Sequence, residues 1–253
     1  MNKVSGPVGI ITGALSGIGA ATALEFARLG ASLVLADVAT QAGEQLTTRV
    51  VELGGTATVA EVDVTDYQAV ERLVERTTAD LGRLDFLVAN AGIAEQSRVA
   101  TGDPARWAAV VQTNVLGTMY SVRAALPVMR RQGEGHILIV GSTSGREPYV
   151  GEPSYLASKY GVVGFAYALR MECAEYGVRV TVVEPGTVDT PLTRGPASVR
   201  ALLERMHPLA PEDVARALVF AFQQPPHVVI SELVIRPLDE TVNAEMPDTG
   251  EPV

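Results

Sequence analysis

The sequence predicts an α/β fold, a doubly wound parallel sheet with helices on both faces. Three observations lead to it. Short apolar runs such as Phe86-Leu87-Val88 alternate with segments of helical periodicity. The runs end in Thr12-Gly13, Asp37, Asp63 and Asn90, the small and polar residues expected where strand C-termini border a ligand crevice. A chain of 253 residues fits one large domain, expected over 1–238, with 239–253 as an acidic tail.

Val8 to Thr12 reads as the first strand and Ala20 to Leu29 as a helix, joined by Gly13-Ala14-Leu15-Ser16-Gly17-Ile18-Gly19. Strand, glycine turn and helix together form a phosphate cradle, with Gly13, Gly17 and Gly19 allowing a tight turn and close approach of a pyrophosphate. Ser32 to Ala36 is the second strand and ends at Asp37. A carboxylate there accepts hydrogen bonds from ribose hydroxyls and repels a 2′-phosphate, and neither Ser16 nor Val38 supplies a guanidinium, so NAD is expected over NADP. A helix over 41–53, a strand over 56–62 and a helix over 67–81, stopped by Gly82, follow. Asp85 to Ala89 is a strand delivering Asn90-Ala91-Gly92. Asp63 and Asn90 stand at strand ends, where adenine and ribose contacts or turn capping would each account for them. A long helix is expected from Pro104 to Gln132, carrying Asn114 as a polar amide that needs partners among apolar neighbours. His136 to Val140 is the fifth strand, placing Ser142 above the crevice. A helix over 154–176 precedes the sixth strand, Val178 to Val183. Pro185 and Gly186 then end that strand and expose backbone beside the crevice.

Composition narrows the partners. A net charge of -9 and a pI near 4.9 argue against nucleic acid, an anionic membrane or an acidic carrier protein, and leave a small molecule as the ligand. The single Cys173 excludes an intramolecular disulfide and no zinc pattern is present, so no metal is expected. No apolar run is long enough to span a bilayer, and the first strand starts too early for a signal peptide, so a cytoplasmic protein is expected.

The chemistry centres on Tyr155 and Lys159. Four residues apart on a helix, they share a face, and an ammonium beside a phenol favours the phenolate. Of the 20 basic residues only Lys3 and Lys159 are lysines, so a compact ammonium is kept where the pattern needs one.

In this order the motifs Thr12-Gly13-x-x-x-Gly17-Ile18-Gly19, Asp63-Val64, Asn90-Ala91-Gly92, Asn114, Ser142, Tyr155-x-x-x-Lys159 and Pro185-Gly186-x-x-x-Thr190 resemble the short-chain dehydrogenase/reductase family, single-domain type, over positions 8 to about 236. The resemblance implies a three-layer Rossmann fold with a seven-stranded sheet. It also implies Tyr155 as proton donor or acceptor, Ser142 polarising the carbonyl, Lys159 lowering the tyrosine pKa and binding the nicotinamide ribose, and Asn114 holding a relay water. Val188 and Thr190 would hold the carboxamide, and Leu15, Ser16, Ile18, Val38, Val64, Ala91 and Gly92 complete the expected cofactor contacts. The 13 residues separating Ser142 from Tyr155 match the family's usual spacing and favour Ser142 over Ser144. Substrate contacts are expected from Ser142, Ser144, Tyr155 and Arg146, the last as a carboxylate anchor, while Arg194, Arg200 and Arg205 read as solvated charges.

The implied reaction is reversible hydride transfer between NAD and a secondary alcohol or ketone. The C-terminal segment resembles a subgroup that commonly uses NADP, against which Asp37 is weighed more heavily. An NADP-dependent carbonyl reductase or an acyl-carrier ketoreductase is the enzymatic alternative. A nucleotide-sensing protein without chemistry is the other, and a broken Ser, Tyr or Lys would be its sign. Family members usually assemble through the two long helices, and a homotetramer is expected.

Overall fold

The computed structural model describes residues 6–194, 203 and 206–240. Arg200, Arg205 and most of the expected tail lie outside the described residues. Seven parallel strands, β1 (Val8–Thr12), β2 (Ser32–Asp37), β3 (Thr56–Glu61), β4 (Phe86–Ala89), β5 (Gly135–Val140), β6 (Val178–Pro185) and β7 (Glu232–Ile235), lie in the order β3-β2-β1-β4-β5-β6-β7. The chain winds outward from β1 to β3, then returns to lay β4 on the other side of β1 in the register Ile10↔Leu87. The direction of winding reverses there, which opens a crevice over the strand C-termini.

Alternation along the strands explains why both faces are covered. Ile10, Leu87, Ile137 and Ile139 enter one apolar cluster, whereas Ile11, Phe86, Val88 and Leu138 enter the other. The first cluster packs against α3 (Tyr67–Leu81), α5 (Gly117–Gln132) and α6 (Pro153–Cys173). The second packs against α1 (Gly17–Ala27), α2 (Gly43–Glu52) and the last described helix, Pro211–Phe222. Gly9 has no side chain where the Phe86 ring lies, since a Cβ there would fall 2.0 Å from Cζ. Phe86 in turn stacks on Phe26 at 4.0 Å between centroids. α3 is bounded as its sequence suggests: Asp66 caps it by accepting from the Gln68 and Ala69 N–H groups, and Gly82 ends it at φ 80°.

The helix expected over 104–132 is not one regular helix. It comprises α4 (Pro104–Val111), a π-helical turn at Gln112–Leu116 and α5, with Gly117 N–H reaching back to Gln112 O. One extra residue in that turn rotates Asn114 inward, where it is 1% exposed. β6 runs two residues beyond its expected end, because Glu184 and Pro185 still pair with Val234 and Ile235 of β7. Among the described residues no helix is long and apolar enough to cross a membrane.

Candidate active site

A cleft of about 560 Å³ lies over the C-terminal ends of β1, β2, β4, β5 and β6. Its floor is the turn between β1 and α1. Gly13 has φ 60°, a conformation that disfavours a side chain, and a Cβ on Gly19 would stand 2.1 Å from Gly13 O. The turn is held from two sides. Asn90 Nδ2 donates to Thr12 O and Gly13 O, both at 2.9 Å, and Leu15 N–H donates to Asp37 Oδ2 at 3.0 Å. Ser16 sits at the N-cap of α1 without capping it by side chain, and no acidic residue stands in the first turn. The helix start is therefore free to receive an anion. Gly13, Ser16, Gly17 and Ile18 line the cleft here, whereas Leu15 and Gly19 are packed behind it. Asp37 and Val38 line its far end beside Asp63 and Val64. Asp63 Oδ1 accepts from the Thr65 N–H and hydroxyl at 2.9 and 2.8 Å, so that side chain shapes the turn after β3. Ala91 and Gly92 continue the wall from β4. A glycine-rich turn, an uncapped helix start and a carboxylate at the end of β2 suit a dinucleotide.

The opposite end holds Ser142 from the end of β5 and Tyr155 with Lys159 from α6. Lys159 is 6% exposed, donates to Val140 O at 2.9 Å and places Nζ 5.6 Å from the Tyr155 ring centroid. Ser142 Oγ accepts from Ser144 N–H at 3.1 Å, which fixes the hydroxyl at the strand end. Pro185, Gly186, Val188 and Thr190, from the segment after β6, close the cleft on that side. Thr190 is held by Thr193, whose hydroxyl oxygen accepts from Thr190 N–H at 3.0 Å and donates to Val188 O at 2.6 Å.

The electrostatics differ from the expectation that Lys159 lowers the tyrosine. Burial, aided by the negative charge of Glu152, pushes the Tyr155 phenol up to about 12, and the nearby Ser142 hydroxyl draws it partway back. Burial alone pulls Lys159 down to about 8. Desolvation moves both groups toward their neutral forms, so the phenol is held as an acid.

Asn114 is held in place by three hydrogen bonds. Its Oδ1 accepts from Ile93 N–H at 2.9 Å, and its Nδ2 donates to Ile93 O at 2.9 Å and to Ser158 Oγ at 3.0 Å. Both amide hydrogens are used, and the residue pins the wall after β4 to α6. Arg146, expected as a substrate anchor, points elsewhere. Its Nε and Nη2 donate to Glu184 Oε2 and Oε1, both at 2.7 Å, and Nη2 also meets Glu232. Glu184 is wholly buried, so its charge requires that guanidinium. Arg194 forms a two-point pair with Asp189 at 2.6 and 2.7 Å on an exposed turn.

A side pocket of about 130 Å³ adjoins Tyr155, lined by Ser142, Ser144, Tyr149, Glu152 and Glu240 among others. Sequence reasoning gave no site role to Glu152 or Glu240, and it quoted Thr12 with the glycine motif without seeing what its hydroxyl holds. Thr12 Oγ1 accepts from the Asn90 and Ala91 N–H groups, both at 3.1 Å, and so ties β1 to the wall after β4. Glu152 had a legible signal, three residues before Tyr155 and next to a helix-starting proline.

A family model described as short chain dehydrogenase matches residues 7–198. Glycine betaine reductase ATRR of Emericella nidulans is 37% identical over 94% of this chain, which spans 19% of that relative's length. Cis-4-hydroxycyclohexanecarboxylate dehydrogenase of Sinomonas cyclohexanicum is 39% identical over 84% of this chain and 88% of its own. The crystal structure of a metagenomic short-chain oxidoreductase in complex with NADP superposes with a TM-score of 0.80 at 30% identity, covering 93% of this chain and 99% of that one. With the sheet order, the glycine turn and the Ser142, Tyr155 and Lys159 cleft already in place, this match means that the chain belongs to the short-chain dehydrogenase family of NAD(P)-dependent oxidoreductases.

Proposed function

We propose that the protein interconverts a secondary alcohol and a ketone of a small substrate with NAD as hydride carrier, Tyr155 moving the proton. The observation that supports this reading best is that Ser142, Tyr155 and Lys159 line one end of the cleft whose other end is the glycine turn. The dinucleotide would lie with its phosphates at Gly13, Ser16, Gly17 and Ile18, its adenosine ribose at Asp37 and its nicotinamide near Lys159, Pro185, Gly186, Val188 and Thr190. Bound there, it accepts or supplies hydride. In reduction, the Tyr155 hydroxyl gives its proton to the carbonyl oxygen as that oxygen takes up the electron pair of the C=O π bond. The Ser142 hydroxyl donates a hydrogen bond to the same oxygen and stabilises the developing charge. In oxidation the Tyr155 phenolate removes the hydroxyl proton while hydride leaves the carbinol carbon. Lys159, anchored on Val140 O, keeps its remaining hydrogens for the cofactor ribose.

Asp37 supports NAD over NADP, since it puts a carboxylate at the end of the cleft proposed for the adenosine ribose, and Lys159 is the only lysine or arginine among the described residues lining the cleft. The NADP in the metagenomic relative supports the opposite choice. Initial rates with a panel of cyclic and acyclic secondary alcohols, each assayed with NAD and NADP, test both points. A higher kcat/KM with NAD is expected. A higher one with NADP overturns the cofactor assignment, and no turnover of any alcohol or ketone overturns the reaction.

The reading also takes residues 1–238 as one domain, the compartment as cytoplasmic and the assembly as a homotetramer. Exposed apolar side chains on the two long helical segments, Val111 and Leu116 on one and Tyr160, Tyr167 and Met171 on the other, support assembly through those faces.

A further inference from the structure

The side pocket carries information about the substrate. Two carboxylates line it, Glu152 at the start of α6 and Glu240 after β7, and its described lining residues include no lysine or arginine. The two acids differ in what surrounds them. Glu240 Oε1 accepts from the Thr187 N–H and hydroxyl at 2.8 Å, and Oε2 faces Arg236 Nη1 at 3.4 Å, so its charge is balanced within the protein. Among the described residues Glu152 has one side-chain donor, the neutral amide of Gln96 at 2.9 Å, and no ion pair.

The position of Glu152 makes this more telling. It is the N-cap of α6, yet its side chain does not cap the helix. Glu152 instead lines the pocket, whose lining also includes Tyr149. Burial raises its pKa, as befits a carboxylate short of partners, and its charge is felt at Tyr155. Glu152 and Tyr155 line the same small pocket and the charge of one acts on the other, so a group held by Glu152 lies close to an atom held by the Tyr155 hydroxyl. A partly desolvated carboxylate in a pocket that also presents aromatic side chains is the complement of an organic cation.

We infer that Glu152 is a specificity-determining residue, selecting ketones and alcohols that carry an ammonium group close to the reacting carbon. This rests on the hydride-transfer reading for its role in turnover. As a binding site it stands on the pocket alone. A carboxylate-bearing substrate is correspondingly disfavoured, since Arg146 is committed to Glu184 and Glu232.

A matched pair of ketones tests it: acetonyltrimethylammonium and methyl neopentyl ketone, equal in shape and different by one charge. The quantity read is the ratio of their kcat/KM values in the wild type, in Glu152→Gln, which keeps an acceptor for Gln96, and in Glu152→Asp, which keeps the charge. The wild type is expected to prefer the cation, the Gln variant to lose about tenfold or more of that preference, and the Asp variant to recover part of it. A structural role alone would lower both ketones together.

The pH profile gives a second readout. The titratable groups lining the pocket and cleft around Tyr155 are Glu152, Tyr149 and Glu240 on one side and Lys159, Asp37 and Asp63 on the other. Removing the Glu152 charge alone is expected to move the rise of oxidation toward lower pH. Binding is measured as well, by calorimetric titration of the dinucleotide-loaded protein with tetramethylammonium, in wild type and Glu152→Gln. An unchanged ratio of the two ketones, or equal tetramethylammonium affinity in both proteins, overturns the inference. Failure of the redox reading is distinguishable, because it abolishes turnover of every ketone while the titration still reports on Glu152.

Discussion

A phenol raised to about 12 is a proton donor throughout the neutral range, and this sets the direction of pH dependence. Reduction uses the protonated form, so its kcat/KM is expected to stay level through neutral pH and to decline above about pH 8, first as Lys159 loses its charge. Oxidation uses the phenolate, so its kcat/KM should climb about tenfold per pH unit across the same range. Initial rates in both directions between about pH 6 and 10 check the sign, and an oxidation rate that is flat over this window contradicts it. Tyr155→Phe removes the transferable proton and leaves the ring. Turnover is expected to fall by about a hundredfold or more while dinucleotide affinity, followed by fluorescence titration, is retained. The sequence carried these residues plainly, because a four-residue spacing on a helix is local. What it could not carry was the balance at Tyr155. Whether an ammonium or desolvation wins depends on how deeply α6 lies beneath neighbouring segments, and those are remote in sequence.

The turn between β1 and α1 and the π-helical turn position everything else. Gly19→Ala would push a methyl toward Gly13 O and Asn90 Nδ2, 2.1 and 2.8 Å from the added carbon. A loss of roughly 1–3 kcal/mol and weaker dinucleotide binding are expected, measured by urea denaturation and titration. Asn114→Ala leaves the Ile93 N–H and C=O without their partners and removes a donor to Ser158 Oγ, at a cost of roughly 2–4 kcal/mol. The denaturation midpoint reads this directly. The glycines were legible because a turn that must approach phosphate tolerates little else. The π turn was not, since one additional residue leaves the apolar spacing of 104–132 looking like a single helix. The same limit hid Glu152, whose residue type was evident while the direction of its carboxylate, away from the helix it precedes, was not.

At the scale of the molecule, Arg146 joins the turn after β5 to β6 and β7 through Glu184 and Glu232, partners 38 and 86 residues away. Separations of that kind leave no trace in spacing, and so a pairing arginine was read as a substrate anchor. Arg146→Met strands a buried carboxylate. The expected loss is on the order of 3 kcal/mol, moderated because the guanidinium is a third exposed, with little change in KM for neutral ketones. Chemical denaturation beside steady-state kinetics separates the two effects, and a KM rise without destabilisation would restore the anchor reading. Sedimentation velocity tests the proposed homotetramer, with Met171→Glu, at an exposed position of α6, expected to shift the population toward smaller species if it forms.

The strand order also imposes a timetable on the emerging polypeptide. One side of β1 can zip to β2 as soon as Ser32 meets Val8, but the other side stays bare until Phe86 arrives opposite Gly9. A nascent half-sheet with an open central edge must therefore be sheltered while the intervening segment leaves the ribosome. Renaturation from denaturant, dominated by such distant closures, belongs to the slow regime of milliseconds to seconds.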